Sequence, residues 1–290
     1  MLWFLLAFVA TIIASITNIS DKVLVSKYLK NPFLGTIVCN IAGIPILFAA
    51  FLLKPPEILP MEEFVRVFIA VLFGIAGTLL YFKAMQKAEA SRVLVTLQAF
   101  PIFVLVFAII FLGETPSYVQ IAGIVLVVIA AMLVSAGKLD KNRWVLAALL
   151  CSFLWAINVV IIKHILASVD YWSLFLWSSA IILAIYVLAL PLYFKELKSS
   201  LLAKPRLLTF AFLSQGSFFT SYVLRLLAFS IGYVSLVSVV GALQPFIVLA
   251  FAFVVSRFAP FLFKETFDVK SAITKIASVV LAVFGTLLLL

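Results

Sequence analysis

The sequence predicts an all-α integral membrane protein with ten transmembrane helices, arranged as two inverted five-helix repeats. Of its 290 residues, 66% are hydrophobic and only 11% are charged, whereas a soluble domain carries about 25% charged residues. Because roughly 20 apolar residues cross a bilayer as one helix, each long apolar run indicates one span. The second observation is that runs in the first half resemble runs in the second half at a nearly constant separation.

Ten apolar runs lie between charged or proline-bearing breaks. They cover approximately 2–20, 33–53, 64–82, 93–112, 117–136, 144–162, 171–194, 207–229, 233–256 and 272–290. They are apolar on every face, unlike the alternating strands of a membrane barrel. The first run has no basic segment before it and no convincing cleavage site after it, so we expect a retained helix and not a signal peptide. Cys39 and Cys151 lie inside apolar runs and are interpreted as small buried side chains.

Two alignments indicate an internal duplication. Residues 3–22 match 144–163 at a separation of 141, and residues 81–108 match 225–252 at a separation of 144. The informative pairs are Trp3/Trp144, Lys22/Lys163, Ser91/Ser235 and Pro101/Pro245. We therefore predict one repeat over 1–137 and another over 138–290. Since five spans is an odd number, the second repeat must cross the membrane in the opposite sense, an arrangement typical of secondary transporters.

A family resemblance rests on residues 81–114, "YFKAMQKAEASRVLVTLQAFPIFVLVFAIIFLGE". Its tyrosine, basic residue, alanine, "AS", proline and terminal "LGE" resemble the EamA family of the drug/metabolite transporter superfamily. In the second half, about seven additional residues precede the corresponding Glu265. The resemblance implies a transporter that moves a small organic metabolite, such as an amino acid or organic anion, by alternating access.

Three alternatives stay open. The chain could be a multidrug or cation exporter of the same superfamily, or a lipid scramblase or channel. A membrane enzyme is the third, but no nucleophile or base motif supports it, so we predict a protein that is not an enzyme. No nucleotide-binding loop or metal-ligand spacing occurs in the sequence, and we expect no cofactor and no metal.

Polar residues within apolar runs are the candidate substrate contacts, because a charge in the bilayer is costly and usually functional. Arg225 has apolar neighbours on both sides and is suited to bind a carboxylate or phosphate. Headgroup anchoring is the alternative for Lys83, and hydrogen bonding between helices is the alternative for the amides. The predicted contacts are Asn18, Tyr81, Lys83, Gln98, Asn158, Tyr222, Arg225 and Gln244.

Two further pairs occupy equivalent positions in the repeats. Lys22 and Lys163 are predicted at the mouths of a central cavity, with snorkelling to the headgroups as the alternative. Pro101 and Pro245 should each kink a helix, because proline removes a backbone donor. Such kinks would serve either as gates or as static packing features.

The charge pattern restricts the partners. No acidic residue lies deep in the first nine runs, which favours an anionic, zwitterionic or neutral solute over a cation exchanged for protons. The net charge of +10 is interpreted as helix-end anchoring to membrane lipid, and not as a nucleic-acid surface. We expect a plasma-membrane protein for which a monomer suffices in principle and a homodimer is possible.

The distribution of basic residues and the family resemblance imply opposite orientations in the membrane. The loops after the odd-numbered runs hold 17 of the 21 Lys and Arg residues. The positive-inside rule places those loops in the cytoplasm and both termini outside. The family resemblance implies cytoplasmic termini.

Overall fold

The computed structural model describes most of the chain and all of the predicted spans in part. The described ranges are 1–23, 31–87, 93, 96–135, 143–203, 206–248, 250–251 and 269–290. Within these ranges the regular secondary structure is entirely helical. Since a backbone in lipid must satisfy its own hydrogen bonds, helices are what so apolar a sequence requires.

Eleven helices are named here in chain order. They are α1 Leu2–Val23, α2 Pro32–Ala42, α3 Ile44–Leu53, α4 Met61–Lys87, α5 Phe100–Leu112, α6 Tyr118–Ser135, α7 Arg143–Ile165, α8 Tyr171–Ala203, α9 Arg206–Ile231, α10 Val234–Gly241 and α11 Val269–Leu287.

Five segments of the described chain are long and apolar enough to cross a membrane. They are Phe33–Leu53, Met61–Ala84, Arg143–Ile165, Tyr171–Ser199 and Leu207–Ile231. Five shorter apolar helices accompany them, at Leu2–Thr17, Phe100–Leu112, Tyr118–Leu133, Val234–Val248 and Ala277–Leu287. The all-helical membrane class is confirmed, and the number of spans stays a prediction.

Prolines divide three of the predicted runs. α2 and α3 meet at Gly43, where Pro45 in the first turn of α3 has no N–H to continue the earlier helix. The run predicted at 93–112 turns at residues 98–99, and α5 then begins with Pro101 in its first turn. The run predicted at 233–256 turns at residues 242–243, two residues before Pro245. These last two turns are 144 residues apart, the same separation as in the sequence alignment.

The helices pack in pairs that join the two halves of the chain. α1 packs along α9, α4 packs along α7, and α6 packs along α11. α5 also contacts α7, and α10 contacts α1 and α5. A close backbone approach joins α6 to α11, where a Cβ added at Gly123 would lie 2.7 Å from the carbonyl oxygen of Gly285. Small residues allow such proximity between membrane helices.

Candidate functional site

Where α4 crosses α7, the indole ring of Trp155 lies against Gly74 and Gly77. Trp155 donates its Nε1–H to the carbonyl oxygen of Gly74 at 3.4 Å. A Cβ added at Gly77 would lie 2.6 Å from Cδ1 of the same ring. The ring of Tyr81 stacks obliquely on Trp155, with 5.8 Å between the ring centroids. Gly77 therefore provides the space that the tryptophan fills, and Gly74 supplies the carbonyl that accepts its N–H.

Asn158 fixes the same crossing by hydrogen bonding to backbone. Its Nδ2 donates to the carbonyl oxygen of Ala70 at 2.6 Å, and the side chain lies against Gly74. A carbonyl already bonded within its helix has a second lone pair available for such a donor. This contact gives Asn158 a helix-packing role, one of the two interpretations that the sequence left open.

The crossing of α1 and α9 carries small hydroxyl side chains in place of the tryptophan. Ser221 donates to the carbonyl oxygen of Ala10 at 2.9 Å. Thr11 donates to the carbonyl oxygen of Ala7 at 2.7 Å within its own helix. At one end of this crossing, a Cβ added at Gly232 would lie 2.9 Å from Cβ of Trp3. The two helices are thereby in direct backbone-to-side-chain contact.

Tyr222 joins α9 to α8. Its hydroxyl lies 3.2 Å from Oγ of Ser178, and its ring stacks on Phe218 with an interplanar angle of 14°. The ring also meets Phe175 edge-on, 6.2 Å away between centroids. An aromatic wall with one hydroxyl pair thus precedes Arg225 by one helical turn.

Arg225 carries a positive charge within an apolar helix. It is half-buried within the apolar segment Leu207–Ile231. No carboxylate, hydroxyl or carbonyl group of the described residues accepts a hydrogen bond from its guanidinium. A charge at membrane depth needs a partner, since hydrocarbon offers none.

Lys163 and Glu114 hold the short connection between α9 and α10. Lys163 Nζ donates to the carbonyl oxygens of Phe229 at 2.5 Å and Gly232 at 2.9 Å. Glu114 accepts the backbone N–H of Val234 at 2.5 Å and that of Ser235 at 3.2 Å, together with the Ser235 hydroxyl. Glu114 is not among the predicted site residues, although it is buried, with 5% of the residue exposed.

Several polar contacts connect the ends of α3, α4, α7 and α8. Lys54 pairs with Asp170 at 3.4 Å; Arg66 pairs with Glu62 and Glu63. Burial of the Asp170 carboxyl opposes its ionisation, but hydrogen bonds from Ser173 and the charge of Lys54 outweigh it and lower the pKa. These contacts explain most of the charged residues described at this end without a substrate.

The remaining predicted residues lie at two turns, near the end of α4, or outside the described residues. Gln98 and Pro101 are buried where the chain turns into α5, and Gln244 and Pro245 are half-buried at the equivalent turn after α10. Lys83 is exposed towards the end of α4. The side chains of Asn18 and Lys22 lie outside the described residues. Within the described ranges, no three His, Cys, Asp or Glu side chains are grouped to hold a metal ion.

Comparisons with known proteins agree with the membrane fold. Residues 1–136 match the model of the EamA-like transporter family. An uncharacterized protein of Methanocaldococcus jannaschii is 35% identical over 108 residues, covering 37% of this chain and 78% of that protein. A solved crystal structure superposes with a TM-score of 0.72 at 18% identity, covering 99% of this chain and 96% of the other. That last likeness concerns the fold alone.

Proposed function

The chain belongs to the EamA-like transporter family, and from this premise we propose that it is a secondary transporter of a small organic anion or zwitterion. Membership places it among membrane transporters of the drug/metabolite type, a family of transporters and not of enzymes. The proposal adds the mechanism, which is alternating access between two inverted repeats, and the charge class of the solute. The membrane we propose is the plasma membrane, with export or exchange as the net process.

Support for the inverted repeats comes from the way the helices pair. Exchanging the halves turns the α1–α9 contact into the α7–α4 contact, because α1 aligns with α7 and α4 aligns with α9. The turns before Pro101 and Pro245 are exchanged in the same way. In an inverted-repeat transporter, exchanging the conformations of the halves changes the side on which the cavity opens. The pairing therefore fits alternating access.

The observation that carries the solute class is Arg225. A guanidinium presents a planar set of donors that matches a carboxylate or phosphate with two parallel hydrogen bonds. Among the described residues it has no carboxylate partner, so an anionic group of the solute does not have to displace one. The wall of Tyr222 and Phe218 one turn away adds apolar area for the remainder of the solute.

Counterflow in proteoliposomes tests this proposal. Vesicles are loaded in turn with amino acids, organic acids, phosphorylated metabolites and a cationic dye, then challenged with trace labelled solute. We expect saturable exchange of a carboxylate or phosphate compound, reduced about 10- to 100-fold by Arg225→Ala, as for loss of a hydrogen bond to a charged group. Arg66→Ala is the matched control, since it removes the same charge from a surface ion pair.

The alternatives give different results in the same vesicles. Exchange of the cationic dye alone would contradict the solute class while leaving the transporter family in place. Lipid scrambling without saturable exchange of any solute would replace the proposal with a scramblase.

A further inference from the structure

We propose that Glu114 and Lys163 form a latch that holds one end of the transport pathway closed, and that Glu114 must release α10 when this end opens. The proposal rests on the transport function above. It concerns the connection of residues 229–235, which we name the α9–α10 junction. Glu114 and Lys163 are positioning residues in it, because they act on helix ends and do not contact the solute.

The junction brings together two helix ends of opposite polarity. α9 ends at Ile231 and α10 begins at Val234, so only two residues separate them. The carbonyl end of α9 is partially negative and the amide end of α10 is partially positive. Tyr233 at the start of α10 makes no side-chain cap, so the free amides require an acceptor from elsewhere.

Each helix end receives a side chain of the opposite charge. The Lys163 ammonium bonds two carbonyl groups at the end of α9, and the Glu114 carboxylate bonds two amides and one hydroxyl at the start of α10. Glu114 also lies close enough to Lys163 for their charges to attract. Because hydrogen bonds to charged groups are the stronger ones, the junction is fixed more firmly than an ordinary helix cap.

Glu114 reaches the junction from the other half of the chain. Gly113 ends α5 with φ 66°, a left-handed conformation that directs the next residue away from the helix axis. Glu114 is thereby turned onto α10, which belongs to the predicted second repeat, while Lys163 is supplied by that repeat itself. Trp3 of α1 packs on Gly232 in the same junction. The first half therefore contacts the junction through residues of both α1 and α5.

These contacts have a consequence for alternating access. A pathway between two halves opens at one end when elements of one half separate from the other. At this end, separation of α5 from α10 would break all three bonds to Glu114, whereas Lys163 would stay with α9. Removing the carboxylate should therefore favour the state that is open here, and by symmetry closed at the opposite end.

Thiol labelling at two positions provides the test. Both native cysteines are buried and are replaced by alanine, giving a background in which single reporters are introduced. Ser238→Cys reports on the junction end, since Ser238 is buried on α10 and its Oγ has no hydrogen-bond partner among the described residues. Thr96→Cys, at a buried position before α5, reports on the opposite end. A membrane-impermeant maleimide is applied separately to each face of the vesicles.

We expect Glu114→Ala to raise the labelling rate of Ser238→Cys by roughly tenfold or more and to lower that of Thr96→Cys, as for a shift between two states. Glu114→Gln should give a smaller shift in the same direction, since the amide keeps one acceptor oxygen. Ser117→Ala is the matched control. It removes a cap from α6 at the same end, but within one half, and should change neither rate.

Two results would overturn the latch. Unchanged labelling of Ser238→Cys in Glu114→Ala would show that the carboxylate does not restrain this end. A parallel rise at both reporters would indicate general loosening and not a change of state. Labelling requires no solute, so reciprocal labelling without counterflow would reject the proposed solute and retain the latch. Intact counterflow without a labelling change would reject the latch and retain the proposed solute.

Discussion

The two long helix crossings of this protein join equivalent helices of the two halves but use different side chains. At the α4–α7 crossing, Trp155 fills the space over Gly77 and stacks on Tyr81. At a separation of 144, Gly77 corresponds to Ser221 and Tyr81 corresponds to Arg225. At these equivalent positions, α9 thus has a hydroxyl and a guanidinium where α4 has a gap and a phenol.

The two crossings differ in how their polar side chains are used. The polar groups of the first crossing are used between helices, as in the bond from Asn158 to the Ala70 carbonyl. The second crossing keeps Arg225 without a protein acceptor among the described residues. In the proposed transport cycle, the similar crossings would let the halves exchange conformations, and Arg225 would supply the charge for the solute.

The largest expected effect comes from making the second crossing like the first. Arg225→Tyr copies the residue found at the equivalent position and should reduce kcat/KM for exchange of an anionic solute by about 100-fold, because the charged hydrogen bonds are lost. Arg225→Lys should retain part of the activity, since the charge remains without the planar fork. Unchanged exchange by Arg225→Tyr in the counterflow assay would show that the solute binds elsewhere.

The second-largest expected effect is a loss of stability at the α4–α7 crossing. Gly77→Ser copies the second crossing, but the new Cβ would lie 2.6 Å from the Trp155 ring. That ring is held by Gly74 and Tyr81, so we expect a loss of about 1–3 kcal/mol, as for an overpacked core. Thermal unfolding in detergent measures it. Ser221→Gly is the comparison variant. An equal or greater loss of stability in that variant would show that the space over Gly77 is not especially restricted by Trp155.

A smaller effect distinguishes packing from binding at Asn158. Asn158→Ala removes the bond to the Ala70 carbonyl and should lower stability by about 0.6–1.7 kcal/mol, from the average to the largest value for hydrogen bonds between membrane helices. The KM for the exchanged solute should stay the same in the counterflow assay. A raised KM with unchanged thermal stability would return Asn158 to the substrate site, as the sequence first suggested.

The smallest effect concerns Asp170, which caps α8 next to both crossings. The pKa of Asp170 is lowered in the folded protein, so its stabilising contribution is complete above the unfolded pKa of about 3.9. That contribution is lost as pH falls through the folded pKa. Compared with Asp170→Asn, the wild type should be more stable at pH 6 by a few tenths of a kcal/mol.

The unfolding midpoints of these two proteins should converge as the pH falls below 4. A difference that stays constant down to pH 3 would show that the carboxylate charge is not the source of the stabilisation.

Much of the architecture follows from local features of the sequence. The apolar runs locate the helices, and Pro101 and Pro245 predict interruptions that lie two residues ahead of each ring. Gly74 and Gly77 allow a close helix approach, in which Asn158 and Trp155 of α7 lie against them. The sequence left open whether Asn158 bonds another helix or the solute, because that choice depends on the rotation of two helices about their axes.

Glu114 illustrates the same limit at a helix end. Its "LGE" context indicates a chain reversal after α5, and Gly113 with φ 66° makes that reversal. Which amides the carboxylate meets is decided by α10, 120 residues later in the chain. A signal was available in the repeated Ser91 and Ser235, since serine is favoured at helix starts.

The sequence by itself determined that the chain lies in a membrane as helices, because hydrocarbon provides no partners for backbone groups and an apolar chain must satisfy them internally. It also placed a charge at Arg225 within an apolar run. Only the tertiary structure decided which polar side chains are used in packing. Hydrogen bonds between helices require donors and acceptors to meet within about 3 Å, and helix crossing geometry sets those distances. Among the residues that the structure describes, Asn158 and Lys163 have such partners, whereas Arg225 does not.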